Sequence, residues 1–363
     1  MQNFPSSRSR NQFQESSEFC AEFCAEFCAE FCVKFCAEFC VEFCAEFCDR
    51  DLCPGLIQGN SYVFLIGTTT PKPVSTRTVQ LHALSEVWKA IKMDLKDKIV
   101  VVTGAARGIG QAVASEYAHR GARVVLADIS GPAQDKVRSQ LREKGHEVHS
   151  FKVDVSQDSE VKQFAAQVIK DIGVPDIVHN NAAIIRSGSI IDLEIEDLYR
   201  QMDVNVFGYI RVTQAFVRAM IERGSGKIVI TASPNGLNPP PMVSANLAAY
   251  CLCKAADISM AQCLAVTLKP HGVTVSVLFP DLTFSDGIAE LQGKASDEFH
   301  KGLIHYATTT GVPADVNAQA LVDGIQSGLF FVTAHPGIEA GVAAWASNGI
   351  DPQTDWLVVN TVR

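Results

Sequence analysis

From Met93 onward, short runs of β-branched and apolar residues alternate with longer segments whose apolar positions recur at helical spacing. The runs IVVVTG (99–104), ARVVLAD (122–128), VHSFKVDV (148–155), DIVHNNA (176–182), KIVITAS (227–233) and VTVSVLFP (273–280) predict strands. They are nearly continuous in apolar character, the pattern of strands covered on both faces. Such strands separated by helices predict an α/β fold, a Rossmann-type doubly wound parallel sheet forming a single domain over 93–363.

The chain before Met93 is different. Residues 19–48 repeat FCAE, with Phe19, Phe23, Phe27, Phe31, Phe35, Phe39, Phe43 and Phe47 each followed by Cys. A period of four overshoots the helical 3.6, so the Phe stripe would wind around a helix without defining a fixed buried face. Three readings stay open: a thiol-based metal or redox tail, a helical interaction segment, or a translated low-complexity repeat with no part in the fold. Evenly spaced single cysteines lack the paired CxxC spacing of a zinc site, and no metal is expected. Residues 81–92, LHALSEVWKAIK, are patterned for a short helix. The organisation expected is an N-terminal extension over 1–92 and a self-contained domain over 93–363.

Composition narrows the function. The 363 residues carry a net charge of −9, which argues against a phosphate-tracking basic surface and so against nucleic acid as a partner. Apolar runs such as SYVFLIG (61–67) and KIVVVTGAA (98–106) fall well short of the roughly 18 residues that span a bilayer, so no transmembrane segment is expected. Of 12 cysteines only Cys251, Cys253 and Cys263 lie beyond Cys53, and no secretory h-region opens the chain; the domain reads as reduced, intracellular and cytoplasmic.

Candidate chemistry starts where the first strand ends. Thr103-Gly104-Ala105-Ala106-Arg107-Gly108-Ile109-Gly110 leads into a helix, and glycines there permit a tight turn and close approach of backbone to a pyrophosphate at the helix N-terminus. Asp128 ends the next strand, 18 residues after Gly110. A carboxylate there can accept ribose hydroxyls and repel a 2′-phosphate, favouring NAD over NADP. Asp128 as a turn cap is the competing reading, and Arg107 is the residue that would favour NADP. Tyr250 and Lys254, four apart, share one helix face, where an ammonium stabilises a phenolate.

Together TGAARGIG, Asp128, Asp154 in DVS, NNAA (180–183), Asn205 in VNVFG, Ser233 in TASPNG and YCLCK (250–254) resemble, in this order, the short-chain dehydrogenase/reductase family over essentially all of 93–363. The resemblance implies an NAD(P)-dependent oxidoreductase that interconverts a secondary alcohol and a ketone. It implies that Tyr250 is the general acid/base, that Lys254 lowers its pKa and bonds the nicotinamide ribose, and that Ser233 bonds the substrate oxygen. Asn205 would hold a helix distortion and water of a proton relay. Gly104, Arg107, Gly108, Ile109, Gly110 and Asp128 would hold the dinucleotide, Asp154 and Val155 would touch adenine, Asn181 and Ala182 would lie along the cofactor, and Thr283 would join them at the head of a lid reaching to about Tyr306. Helices around 192–222 and 247–270 would pair into a homodimer or homotetramer.

Three departures from the family pattern matter. Ala183 stands where the family has glycine, Asp281 follows Pro280 where glycine is usual, and Ser233 lies 17 residues before Tyr250 with Pro239, Pro240 and Pro241 between them. Asp281 would either favour the oxidised, cationic ring or obstruct the site, and Ser244 is a weaker stand-in for Ser233. These features keep open an alternative, a cofactor-binding protein with little or no catalysis. Phe207, Met242, Leu282 and Phe284 predict a partly apolar pocket, and Arg186 and Lys294 are candidates to meet a carboxylate, with solvated charges as the competing reading.

Overall fold

The computed structural model describes residues 92–284, 288, 291–335 and 337–347; the FCAE repeat and residues 81–91 lie outside them. Nine strands are present among these residues: β1 (Ile99–Thr103), β2 (Arg123–Asp128), β3 (Val148–Lys152), β4 (Ile177–Asn180), β5 (Arg186–Ser187), β6 (Gly226–Thr231), β7 (Val273–Phe279), β8 (Gln292–Gly293) and β9 (Phe331–Thr333). Seven of them form one sheet in the order β3-β2-β1-β4-β6-β7-β9, with every neighbouring pair parallel. The two-residue strands β5 and β8 pair separately.

The helices are α1 (Gly108–His119), α2 (Gly131–Glu143), α3 (Asp158–Asp171), α4 (Ile195–Met202), α5 (Gly208–Arg223), α6 (Pro241–Asn246), α7 (Ala248–Leu268), α8 (Asp297–Thr310), α9 (Ala314–Gln326) and α10 (Ile338–Ser347). Successive side chains of a strand point to opposite faces, so each core strand feeds two cores. Val100 and Val102 of β1 pack with Val113 and Tyr117 of α1, Leu141 of α2, and Leu321 and Ile325 of α9. Ile99 and Val101 pack on the other face with Phe164 of α3, Phe216 and Met220 of α5, and Leu268 of α7. The expected doubly wound sheet is therefore the observed one.

From β1 the chain winds outward through β2 to β3, then returns to β4 and winds the other way. The carboxyl ends of β1 and β4 diverge at this reversal, the place where open α/β sheets form a ligand crevice. Each of the six predicted core strands is present, but three end two or more residues early, the run at 227–233 stopping at Thr231. The run at 148–155 stops at Lys152 because the Asp154 carboxylate accepts from the Ser156 amide at 2.9 Å and its hydroxyl at 2.7 Å, closing a local turn. The run at 176–182 stops at Asn180, where the chain bends to meet the glycine turn. β9 escaped prediction because three residues carry no period.

The helix continuing through Ala248–His271 is 24 residues long and apolar enough, by length and composition, to cross a membrane. Lys254 and Asp257 interrupt its apolar run and hid it from a search for uninterrupted stretches. Here it packs on β7 and turns Lys254 and Asp257 inward.

Candidate active site

The glycine turn is held shut by steric fit. Gly104 has φ +63°, and a Cβ on Gly110 would lie 2.1 Å from the Gly104 carbonyl oxygen and 2.4 Å from Asn181 Nδ2. Asn181 fastens the turn to β4: its Nδ2 donates to the carbonyls of Thr103 (3.1 Å) and Gly104 (3.3 Å), and its amide donates to Thr103 Oγ1 at 3.0 Å. α1 begins with no side-chain cap from Arg107, so its N-terminus faces the crevice with the partial positive charge of the helix. Asp128, at the end of β2, braces the loop, with Oδ2 accepting from the Ala106 amide at 3.0 Å and Oδ1 from the Ser130 amide at 2.8 Å.

Asn205 lies in a π-helical turn, Asp203–Phe207, between α4 and α5. It is fully buried, and both ends of its amide are spent on one residue: Oδ1 accepts from the Ile184 amide at 2.8 Å and Nδ2 donates to the Ile184 carbonyl at 2.9 Å. The helix distortion thereby fixes the segment between β4 and β5. Ser233 caps a 3₁₀ turn, Pro234–Gly236, accepting from the Asn235 amide at 3.2 Å. A Cβ on Gly236 would lie 2.5 Å from the Lys254 carbonyl carbon, so only glycine lets this turn lie directly on α7.

Lys254 Nζ donates to the Thr231 carbonyl at 2.7 Å and to Asp257 Oδ2 at 2.9 Å, and lies 5.8 Å from the centre of the Tyr250 ring. Burial pushes the Tyr250 phenol above its ordinary value, while the Lys254 ammonium and a hydrogen bond with Ser233 pull the other way. Burial alone would depress Lys254, yet the Asp257 carboxylate and the nearby phenols hold it above the usual lysine range.

These residues share one continuous cavity of about 1520 Å³. Gly104, Arg107, Gly108, Ile109, Gly110, Asp128, Asp154, Val155, Asn181, Ala182, Ser233, Tyr250, Lys254 and Thr283 all line it. Asn205 does not, and sits behind the wall. Ser244 is exposed and outside the lining, its hydroxyl donating to the Pro239 carbonyl at 3.1 Å, so it is no substitute for Ser233. Ala183 is exposed on the cavity side, where its methyl meets open space.

Asp281 lines the cavity with its carboxylate turned onto its own loop: Oδ1 accepts from the Leu282 amide at 2.7 Å and lies 3.8 Å from His335 Nε2. Asn317 of α9 holds the same loop, donating to the Asp281 carbonyl at 2.9 Å and to Thr283 Oγ1 at 2.7 Å. Arg186 and Lys294 are paired: Arg186 lies 3.8 Å from Asp197 and Lys294 2.8 Å from Glu194. Sequence reading missed Asp257 and His335. Asp257 had a signal, a carboxylate one turn beyond Lys254 on an otherwise apolar helix; His335 had none, because only the fold returns the chain after β9 to the cavity.

A crevice at the sheet reversal, a glycine turn opening a helix, and a Tyr/Lys pair in one cavity define a nucleotide-dependent oxidoreductase of the α/β type. The short chain dehydrogenase family model matches residues 98–294, just over half of the chain. The chain belongs to that family, whose members are oxidoreductases using a nicotinamide dinucleotide. It is 34% identical to a sorbitol dehydrogenase of Cereibacter sphaeroides, over 56% of this chain and 78% of that protein. To a 1-deoxy-11-beta-hydroxypentalenate dehydrogenase of Streptomyces exfoliatus it is 32% identical, over 56% of this chain and 75% of that one. A protein of Mycobacterium tuberculosis named "Probable oxidoreductase EphD" matches at 32%, and the chain spans only about a third (33%) of its length. A short-chain dehydrogenase from Burkholderia phymatum, solved in complex with NAD, superposes with a TM-score of 0.65 at 25% identity, covering 72% of this chain and 98% of that one.

Proposed function

We propose that this chain is an NAD-dependent dehydrogenase/reductase interconverting a secondary alcohol and a ketone. One observation carries the reading: Tyr250, Lys254 and Ser233 line the same cavity as the glycine turn and Asp128. The donor set fits a dinucleotide, with an uncapped helix end for the phosphates and a carboxylate for the ribose. Asp128 sits against the loop amides, and its charge there repels a 2′-phosphate, which favours NAD over NADP. Gly104, Arg107, Gly108, Ile109, Gly110, Asp154, Val155, Asn181, Ala182 and Thr283 form the rest of the cofactor wall.

When bound, the nicotinamide supplies the two-electron chemistry, and the chain handles one proton. In oxidation the Tyr250 phenolate oxygen takes the alcohol proton; in reduction the phenol returns a proton to the carbonyl oxygen. A phenol above its ordinary pKa of about 10 rests as the acid, so the adjacent ammonium is what makes it usable as a base. Ser233 orients the substrate oxygen. Leu237, Pro240, Met242, Val243, Leu247 and Leu291 give the substrate end an apolar lining, which suits an aliphatic or alicyclic alcohol.

The test is turnover of cyclohexanol, 1-phenylethanol and sorbitol with NAD and with NADP. Tyr250→Phe is expected to lower kcat by about 10²- to 10⁴-fold, the usual contribution of a positioned acid/base. Turnover unchanged in the variant removes Tyr250 from the mechanism. Tight NADH binding without turnover of any alcohol by the unaltered protein favours the non-catalytic alternative. The outer face of α7, with Leu252 47% and Val266 78% exposed, is the surface we assign to a second copy of the chain. The three unpaired thiols of the described residues suit a reducing cytoplasm.

A further inference from the structure

Behind Lys254 stands a group that proton transfer at Tyr250 does not by itself require. Asp257 lies one turn farther along α7, is 0% exposed, and its Oδ2 accepts from Lys254 Nζ at 2.9 Å. Its Oδ1 has no hydrogen-bond partner, so the ammonium is the one strong contact of this carboxylate. With a second ammonium proton on the Thr231 carbonyl at 2.7 Å, only one is left for the cavity. A carboxylate buried at this depth on an apolar helix is costly unless it is paired, and here it is paired to a residue of the site.

We propose that Asp257 is a positioning residue for the proton-handling pair: it fixes the Lys254 ammonium against the Thr231 carbonyl and offsets part of its charge as felt by Tyr250. The proposal rests on the reading of Tyr250 and Lys254 as that pair.

The field around Asp257 supports it. The ionisable groups facing the carboxylate are Lys254, Tyr250 and Cys253 from its own helix and Tyr209 from α5, while β6 contributes the Thr231 carbonyl. Burial pushes Asp257 up against the pull of Lys254, and the 2.9 Å ion pair is what favours the charged carboxylate. Lys254 lowers the Tyr250 phenol and Asp257 raises it. Asp257 is also the foremost group holding Lys254 above its ordinary value. Deleting one negative charge therefore moves both neighbours to lower pKa.

Asp257→Asn keeps the shape and an acceptor oxygen and removes the charge. In pH profiles of kcat/KM for alcohol oxidation with NAD, both limbs are expected to move to lower pH by up to about three units, the effect of one charge about 4 Å away at an effective dielectric of about 20. A purely structural role lowers the rate at every pH and leaves both limbs in place, and that result overturns the proposal. Should Asn prevent folding, Asp257→Ser carries the same expectation. The pH dependence of NADH affinity, read by fluorescence, gives the Lys254 shift without any alcohol; an unmoved profile counts against the proposal equally. Tyr250→Phe is run beside it. An active Tyr250→Phe overturns the acid/base reading itself, whereas an inactive one with unmoved limbs in Asp257→Asn overturns only the role of Asp257.

Discussion

His179 is fully buried in β4, its Nε2 3.0 Å from Thr231 Oγ1 and its Nδ1 3.4 Å from the Tyr117 hydroxyl. Burial drives its pKa from 6.5 down to about 3. Between those values the unfolded chain binds a proton that the folded chain refuses, so the contribution is intact above 6.5 and is lost as pH falls toward 3. At about pH 5 the loss amounts to roughly 2 kcal/mol. Urea midpoints measured near neutrality and near pH 5 check this, with His179→Asn expected to lose less on acidification than the unaltered protein. The sequence marks His179 only as a polar residue inside an apolar strand. Its two hydroxyl partners come from α1 and β6, far away along the chain, and the pairing was invisible there.

At the scale of elements, the turn at Pro234–Gly236 and the helix α7 form one unit, because backbone meets backbone at Gly236 and Lys254. Gly236→Ala forces the turn off the helix, since the nearest atoms to the new methyl, at 2.5 to 2.7 Å, belong to the backbone of Lys254 and Ala255. Separating Ser233 from the Tyr250–Lys254 face by even an ångström is expected to cost about 100-fold in kcat. NADH binding, which depends on the distant glycine turn, should change far less. Stopped-flow turnover and fluorescence titration separate the two; equal loss in both refutes the element-level account. This contact was half legible in the sequence, where TASPNG shows a glycine three residues after Ser233 but not what that glycine touches.

Across the whole molecule, Met93 is already part of the folded sheet domain. Its amide donates to the Gln326 carbonyl at 2.8 Å, Gln326 Nε2 returns a bond to the Met93 carbonyl at 2.8 Å, and Leu95 is fully buried. Tertiary contacts begin at the first described residue, Lys92, whose Nζ lies 3.6 Å from Asp323 Oδ1, and a boundary at 92/93 is our proposal. A fragment of residues 93–363 is expected to fold cooperatively, bind NADH and turn over alcohol as the full chain does. An insoluble fragment, or one without cofactor affinity, would refute the boundary and give the FCAE segment a part in the fold.

The linear chain determined the architecture because strands buried on both faces must be apolar throughout and helices must repeat near 3.6, so the doubly wound sheet is written in local composition. It also placed the glycine turn between a strand and a helix and set Tyr250 and Lys254 on one helix, where one turn aligns residues four apart. Only folding in three dimensions decided the rest: that Asn205 spends its amide on Ile184, that Asp281 turns onto its own loop, and that Asp257 lies buried against Lys254. Burial and the direction of a side chain are set by neighbours remote in sequence, and they govern the strength of a charge.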